Sequence, residues 1–330
     1  MQLRTLGELG ERKVIDIIMG HLTSMQDLPI PFWDDVSAIR IGQGKAAILK
    51  TDMLVWATDV PKGMTPQQAA RKAVVMNFSD RGSKGVQPSA FMVSLGLPRS
   101  LEVKFVEELA KGLEAGAREY DAYVLGGDTG ETDGIIISGM AFGVAEEAKL
   151  MRRDGARAGD VLATTGPFGR TAAAFKILLE GYKTPKKLRD ALVKSVFMPR
   201  ARVQEGIALA ESGSISASMD SSDGLAMSLH DLSRSSGVGF KVDTPPASEE
   251  AADFARLLHL DLNELVFYGG EEYELVFTVK PGMLNIARNA LQSVGCDLIE
   301  IGKATSDIKI VYNANGEEIH LRSGYEHFKS

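Results

Sequence analysis

The chain has 330 residues, 44% hydrophobic and 25% charged, so it is long enough to bury the cores of two domains and too apolar to be disordered. Its net charge of −7 and its lack of a Lys/Arg-rich run argue against nucleic acid as a partner. Cys296 is the only cysteine, which excludes a disulfide framework and a thiolate zinc site. Because we find no N-terminal apolar signal segment and no run approaching ~20 apolar residues, we expect a soluble, cytoplasmic protein without a membrane partner.

The first part of the chain alternates predicted helices and strands. GELGERKVIDIIMGH predicts an amphipathic helix, AAILKTDMLVW a strand broken at Asp52, and TPQQAARKAVVMNFSD a helix with a Thr cap and Pro at its first position. AFMVSLGLP then predicts a strand and LEVKFVEELAKGLEAGAREY a second amphipathic helix. AYVLGGDTG predicts a strand ending in a glycine-rich turn that carries Asp128, and GIIISGMAFGVA predicts a further strand.

The second part repeats this alternation. GDVLATTG predicts a strand, the Ala-rich segment after Gly169 a helix, and MPRARVQEGIALAES another helix. SISASMD predicts a strand, GLAMSLHDLSRSSG a helix that ends at Gly237, and YELVFTV a strand. We therefore predict a mixed α/β chain of two domains, residues 1–150 and 151–330.

Acidic residues gather where predicted elements end. The set is Asp34, Asp35, Asp52, Asp59, Asp80, Asp128, Asp220, Asp223, Glu271 and Glu272. A helix cap or a turn explains any one of them. If the fold brings them together, however, their repulsion requires hard cations with oxygen ligands, and Mg²⁺ binds such carboxylates together with phosphate oxygens.

Several other sites are excluded by the pattern. The five histidines include no HExxH pair, which argues against zinc. GxxxxGK[ST], GxGxxG and GxSxG are absent. GPFGRT, from Gly166 to Thr171, is a weak echo of a phosphate loop, and a tight turn before a helix explains it equally well.

An ordered set of eight motifs resembles the thiamine-monophosphate kinase family. They are WDDVSAI, KTDMLV, AVVMNFSDRGSKG, LGGDTG, RRDGARAGDVLATTG, SMDSSDG, GGEEYELVFTV and GYEHF. That family belongs to the superfamily of aminoimidazole ribonucleotide synthetase, selenophosphate synthetase and the hydrogenase-maturation dehydratase. The resemblance covers nearly the whole chain.

The resemblance implies an ATP-dependent transfer of the γ-phosphoryl group onto thiamine monophosphate, which gives thiamine diphosphate and ADP. It also implies a two-domain, aminoimidazole ribonucleotide synthetase-like fold. In that fold the N-terminal domain binds ATP and Mg²⁺ and pairs its sheet across a homodimer into a barrel-like core. The C-terminal α/β domain completes the active site.

By the same resemblance, the site residues fall into three groups. The Mg²⁺ ligands are expected to be Asp35, Thr51, Asp52, Asp80, Asp128, Asp220 and Asp223. The ATP contacts are expected to be Gly127, Asp128, Arg153 and Ser222. The thiamine contacts are expected to be Asp59, Glu271 and Tyr325. No protein nucleophile is required, since the acceptor phosphate is already ionised near neutral pH, with a second pKa of roughly 6.

Four positions depart from the family pattern. Trp33 replaces a Gly, Asp59 a substrate-contacting His, Glu272 an Asp, and Lys50 a small residue. Two alternatives stay open: another ATP-dependent enzyme of the superfamily, closest to aminoimidazole ribonucleotide synthetase, and a non-catalytic module that binds nucleotide and Mg²⁺.

Overall fold

The computed structural model describes residues 5–23, 25–314, 316–324 and 328. The first part of the chain contains five α-helices and five strands within this range, followed by a short 3-10 helix at Glu147–Lys149. In chain order they are α1 (Leu6–Leu9), α2 (Glu11–Met19), β1 (Ser37–Gly42), β2 (Lys45–Val55), α3 (Trp56–Asp59), α4 (Pro66–Ser83), β3 (Ala90–Leu97), α5 (Val103–Arg118), β4 (Tyr123–Glu131) and β5 (Ile136–Glu146).

The second part contains seven helices and seven strands within the described residues. They are β6 (Val161–Thr164), α6 (Arg170–Leu179), α7 (Lys186–Phe197), α8 (Val203–Ser212), β7 (Ile215–Asp220), α9 (Leu225–Ser236), β8 (Gly239–Val242), α10 (Glu249–Leu258), α11 (Leu262–Tyr268), β9 (Leu275–Val279), α12 (Leu284–Ser293), β10 (Ile299–Thr305), β11 (Ile310–Ala314) and β12 (Glu317–His320). The expected mixed α/β class is confirmed.

The five strands of the first part form one sheet in the order β1-β2-β5-β3-β4. The β3–β4 pair is parallel and the other pairs are antiparallel. Helix α4 packs on β2 and β5, and α5 packs on α4. One face of the sheet is therefore covered within the chain.

Helix α4 is the central element of the molecule. Thr65 caps it by accepting the Gln68 backbone N–H at 3.2 Å, and Pro66 is its first residue, as predicted. It is buried nearly all round, and besides the first sheet and α5 it contacts α8 and β7 of the second part. Charged side chains on such a helix need buried partners.

The seven strands of the second part form a separate sheet in the order β12-β11-β8-β10-β6-β9-β7. Leu225, Leu229 and Leu232 of α9 pack with Phe267 of α11 in the core on one face. Leu209 of α8 and Leu291 of α12 belong to the core on the other face. Helices on both faces explain why strand β9 is buried along its whole length.

Three local predictions differ from the structure. The expected N-terminal helix is split at Gly10, whose φ of 77° ends α1. Strand β2 is not broken at Asp52, because that residue pairs with Gly139 of β5 in an unbroken register. The glycine-rich segment with Asp128 is not a turn, since it pairs with β3 as the second half of β4.

No helix within the described ranges combines the length and apolar character required to span a bilayer.

Candidate active site

Three buried carboxylates meet where helix α4 of the first part contacts strand β7 of the second part. Asp35 precedes β1, Asp80 lies in the last turns of α4, and Asp220 ends β7. One oxygen from each lies within 4.8 Å of the others. This is the spacing of ligands around a single metal ion, and the donors are the hard oxygens that Mg²⁺ prefers.

The crowding of these carboxylates shows in their pKa values. Burial, followed by the charge of Asp35, raises the pKa of Asp220 to about 7. Burial also raises the pKa of Asp80, and Asp220 and Asp52 add to the effect. Burial alone would raise the pKa of Asp35, but Arg153 and Lys84 lower it below its usual range. Nearby cations therefore stabilise the charged form of these carboxylates.

Three basic side chains supply positive charge in this structure. Lys84 Nζ lies 2.6 Å from oxygens of both Asp34 and Asp35 and also donates to the Ser218 carbonyl at 2.7 Å. Arg153 pairs with Asp35 through its guanidinium, and its backbone N–H donates to Asp34 at 2.9 Å. These contacts hold the loop before β1 against the second part of the chain.

The third cation is Lys50 of β2. Its Nζ lies 3.1 Å from a carboxylate oxygen of Asp52 and 3.1 Å from one of Asp80. Burial alone would lower the pKa of Lys50, but Asp52, Asp80 and Asp220 together raise it above its ordinary value. The Lys50 ammonium therefore links Asp52 to Asp80 of the three-carboxylate group.

A second charged cluster surrounds Lys72 of α4. Its fully buried ammonium donates to both oxygens of Glu271, at 2.7 and 2.8 Å, and to the Asp59 carbonyl at 2.9 Å. The Asp59 carboxylate itself accepts the Val55 backbone N–H at 2.7 Å. Two of the three residues expected to contact thiamine are thus brought together.

Two loops of the second part connect these clusters. One joins β7 to α9 and contains Ser221 and Ser222, and the other joins α11 to β9 and contains Glu271 and Tyr273. The Glu271 N–H donates to the Ser222 carbonyl at 2.6 Å, and the Tyr273 N–H to the Ser221 carbonyl at 3.0 Å. Glu271 and Tyr273 both have positive φ, 64° and 54°, a conformation that costs free energy in non-glycine residues. Burial first, then the charges of Glu271, Asp52, Asp220 and Asp80, raise the pKa of the Tyr273 phenol.

Not every expected ligand lies in the three-carboxylate group. Ser222 is exposed and Asp223 partly buried, both in the loop between β7 and α9. Thr51 and Asp128 lie on the opposite face of the first sheet from Lys50 and Asp52, because side chains alternate along a strand and paired residues share a face. Gly127 is three strands from β2, roughly 14 Å away. Tyr325 lies outside the described residues.

The GPFGRT segment does not hold an open anion site. Oε1 of Glu272 accepts the backbone N–H groups of Gly169 and Thr171, at 2.6 and 3.2 Å. The N-terminus of α6 is therefore occupied by a carboxylate of the chain itself. Here the longer Glu272 stands in place of the Asp of the family pattern.

The sequence reasoning missed three residues of this region and one role. The local patterns do not single out Lys72, Lys84 or Tyr273, and they mark Lys50 only as a departure from the family. The available signal is the predicted helix that carries Lys72 and Asp80 among small apolar residues, with Lys84 soon after it, because a lysine buried with such a helix must find a buried acid.

Comparison with known proteins agrees with this arrangement. Residues 33–145 match the family of AIR synthase related proteins, N-terminal domain, and residues 157–313 match its C-terminal domain. The thiamine-monophosphate kinase of Nitrosopumilus maritimus is 33% identical over 98% of this chain and 100% of its own length. That of Pyrococcus horikoshii is 34% identical over 90% of each chain.

Solved structures give the same result. AaThiL complexed with AMPPCP and TMP superposes with a TM-score of 0.86 at 27% identity, over 99% of this chain and 100% of that one. The Escherichia coli hydrogenase maturation protein HypE, 19% identical over 94% of this chain and 96% of its own, shares the fold with a TM-score of 0.72. The resemblance inferred from eight motifs is confirmed, and the chain belongs to the thiamine-monophosphate kinase family of AIR synthase related proteins.

Proposed function

We propose that the chain transfers the γ-phosphoryl group of ATP to thiamine monophosphate, yielding thiamine diphosphate and ADP. Its relatives are named for this kinase activity, and the structure of AaThiL holds AMPPCP, an analogue of ATP, together with TMP. The single observation that carries the proposal is the convergence of Asp35, Asp80 and Asp220 beside Arg153. Divalent cations held by these carboxylates, together with the Arg153 guanidinium, would offset the repulsion between the two anionic substrates.

The donor set fits Mg²⁺. Asp35, Asp80 and Asp220 offer only carboxylate oxygens, and their mutual repulsion is relieved by a bound cation. When bound there, Mg²⁺ would neutralise phosphate oxygens and stabilise charge that develops during transfer. Asp223, three residues after Asp220, extends the same proposed set, whereas Asp52 contacts the three-carboxylate group only through Lys50.

Arg153 and Ser222 are the proposed ATP contacts nearest the three carboxylates. A guanidinium pairs bidentately with phosphate oxygens, and Arg153 Nε is buried with no hydrogen-bond partner among the described residues. Ser222 is exposed in the β7–α9 loop and can donate its hydroxyl. Gly127 completes these contacts, with no side chain to obstruct a ligand.

The thiamine side is proposed to lie at the second cluster, with Asp59, Glu271 and Tyr325 as contacts. Glu271 is held by Lys72, and burial raises its pKa. A carboxylate there attracts the cationic thiazolium or accepts a hydrogen bond from the aminopyrimidine. Because no residue is placed as a nucleophile, we propose a direct in-line transfer in which positioning and electrostatics supply the rate.

We also propose a homodimer formed through the uncovered face of the first sheet. This face carries exposed apolar residues such as Ile39, Met53, Met92 and Val144, and it also carries Thr51 and Asp128. A partner sheet on this face would bury them and form the barrel-like core. Residues 1–150 would then bind ATP and Mg²⁺ and dimerise, and residues 151–330 would complete the site.

A cytoplasmic location belongs to the same proposal, because the single free cysteine, Cys296, suits a reducing compartment.

The test is an incubation of the purified chain with ATP, Mg²⁺ and thiamine monophosphate. We expect equal amounts of thiamine diphosphate and ADP, and no product when EDTA removes the metal or when unphosphorylated thiamine replaces the monophosphate. Formation of AMP instead of ADP would contradict the proposed transfer. Binding of AMPPCP with no turnover of ATP would indicate a non-catalytic nucleotide module.

A further inference from the structure

Lys50 places a positive charge inside the acidic centre, defined as the three-carboxylate group of Asp35, Asp80 and Asp220 together with Asp52. Lys50 and Asp52 are two residues apart in β2, so their side chains lie on the same face of the strand. That face packs against α4, which carries Asp80. The ammonium is held between the two carboxylates, 3.1 Å from each, and the side chain is only 19% exposed.

The contacts of Lys50 divide the acidic residues into two kinds. Asp35, Asp80 and Asp220 have oxygens close enough together to hold one ion, and Asp52 is not in that group. Asp52 is instead paired with Lys50, while its backbone N–H donates to Asn77 Oδ1 at 3.0 Å. Asp80 is shared, since it contacts Lys50 and also belongs to the three-carboxylate group.

The space between Asp52 and Asp80 has the dimensions of an ammonium site. A distance of 3.1 Å suits an N–H···O contact. Mg²⁺ requires oxygens at about 2.0–2.1 Å, so an ion at the position of Nζ would need each carboxylate to move by about 1 Å. Asp52 is held on a paired strand and Asp80 on the central helix, which resists such a movement.

We propose that the ammonium of Lys50 is a resident cation of the acidic centre, which occupies the place between Asp52 and Asp80 and keeps a divalent ion out of it. The inference rests on the proposed function in that the centre is taken to bind divalent ions. Asp52 then serves to position Lys50 and does not ligate a metal. This chain accordingly binds one divalent ion fewer than its acidic residues would otherwise hold.

The test counts Mn²⁺ ions bound to the full chain, by the electron paramagnetic resonance signal of the free ion, without nucleotide or thiamine monophosphate. Lys50→Ala is expected to bind one more ion per chain than the wild type. Lys45→Ala, which removes the same charge from an exposed position of the same strand, is expected to bind the wild-type number. An unchanged count in Lys50→Ala, with or without altered affinity, overturns the proposal.

A second measurement needs no variant and therefore does not depend on whether Lys50→Ala folds. In a crystal of the wild type grown with Mn²⁺, we expect anomalous signal beside Asp35, Asp80 and Asp220, with Lys50 Nζ still between Asp52 and Asp80. An Mn²⁺ ion between Asp52 and Asp80, with Lys50 turned away, overturns the proposal.

The kinase assay separates this inference from the proposed function. An active wild type whose ion count equals that of Lys50→Ala removes only the role of Lys50. An inactive wild type, with an extra ion in Lys50→Ala, supports the role of Lys50 and removes the proposed reaction.

Discussion

The buried carboxylates of the acidic centre differ in how much neighbouring positive charge balances the negative charge of each. Asp35 has Lys84 and Arg153 as partners, and Asp80 has Lys50. Asp220 accepts the Ser79 hydroxyl at 2.6 Å, a neutral donor, and its pKa is raised to about 7. A divalent ion bound there, as proposed, would relieve repulsion most strongly at Asp220 and Asp80, whose pKa values are raised.

The Asp80→Asn variant tests whether the negative charge of Asp80 is needed to bind the proposed metal ion and not to fold the chain. Because the change removes a charge from a crowded group, we expect turnover to fall by about 10²-fold or more while the melting temperature in metal-free buffer does not fall. Steady-state kinetics and thermal unfolding measure the two effects. Asp253→Asn, at an exposed ion pair with Arg256 on α10, is the control and should change neither. Wild-type turnover in Asp80→Asn would remove this residue from the proposed metal set.

Glu272 gives a pH dependence of stability with a definite sign. Burial raises its pKa to about 7, although hydrogen bonds from Thr171 and Gly169 oppose the rise. With an unfolded value of 4.5, the folded state holds the proton more tightly, so this contribution to stability is complete below pH 4.5 and is lost as the pH rises to about 7.

Glu272→Gln keeps the hydrogen-bond acceptor and removes the titration. We therefore expect the free energy of unfolding of this variant, relative to the wild type, to increase by on the order of 3 kcal/mol between pH 5 and pH 8. Denaturant titrations at a series of pH values measure it. Parallel pH profiles for the two proteins would contradict the expected shift.

At the level of elements, the position of α4 depends on how closely α5 approaches it. Gly112 of α5 faces α4, and a Cβ built on it would lie 2.2 Å from the Gln67 carbonyl oxygen and 2.8 Å from Ala70 Cβ. Helix α4 carries Lys72 and Asp80, and Lys84 follows directly as its C-cap residue. The α4–α5 contact therefore helps to set the position of three charged groups of the site.

Gly112→Ala should destabilise the chain although alanine favours helix. Overpacking against a backbone carbonyl costs about 3 kcal/mol, and the gain in helix propensity returns about 1 kcal/mol, so we expect a net loss of about 2 kcal/mol. Denaturant unfolding measures it. Lys111→Ala, on the same helix at an exposed ion pair with Glu108, should stay within about 0.5 kcal/mol of the wild type. An unchanged stability in Gly112→Ala would mean that the two helices separate easily.

At the scale of the whole molecule, the site is assembled from both parts of the chain. Asp35 and Asp80 come from the first part and Asp220 from the second, and Lys72 of the first part holds Glu271 of the second. No described residue covers the opposite face of the first sheet, where Met53 and Met92 are exposed. This surface is the basis for the proposed dimer.

Met92→Glu tests the proposed dimer. A charge in the middle of a buried sheet face is costly to desolvate, so we expect the variant to sediment as a monomer where the wild type sediments as a dimer. Analytical ultracentrifugation measures the mass. Leu257→Glu, at an exposed position of α10, is the control and should leave the mass unchanged. A wild type that is monomeric at all concentrations would contradict the dimer itself.

The sequence by itself determined the features that depend on neighbouring residues. Thr65 and Pro66 mark the start of α4, Gly237 marks the end of α9, and the apolar run of β3 predicts a strand, although the face of β3 that carries Met92 is exposed and not buried as expected. The order of the eight motifs also identified the family, because each motif is a local string of residues. The acids Asp80 and Asp220 were recognised in the same way.

Only the tertiary structure decided which of these residues meet. Lys72 and Glu271 are 199 residues apart, and Ser79 and Asp220 are 141 apart, so no periodicity links them. The predicted turn at Gly127 is a strand, because the missing side chain allows β4 to lie where a Cβ would be 1.7 Å from the Val93 carbonyl oxygen. The position of Lys50 between Asp52 and Asp80 likewise follows from the packing of β2 on α4. Local patterns record the preferences of a segment, whereas a site is formed by long-range packing that those patterns do not contain.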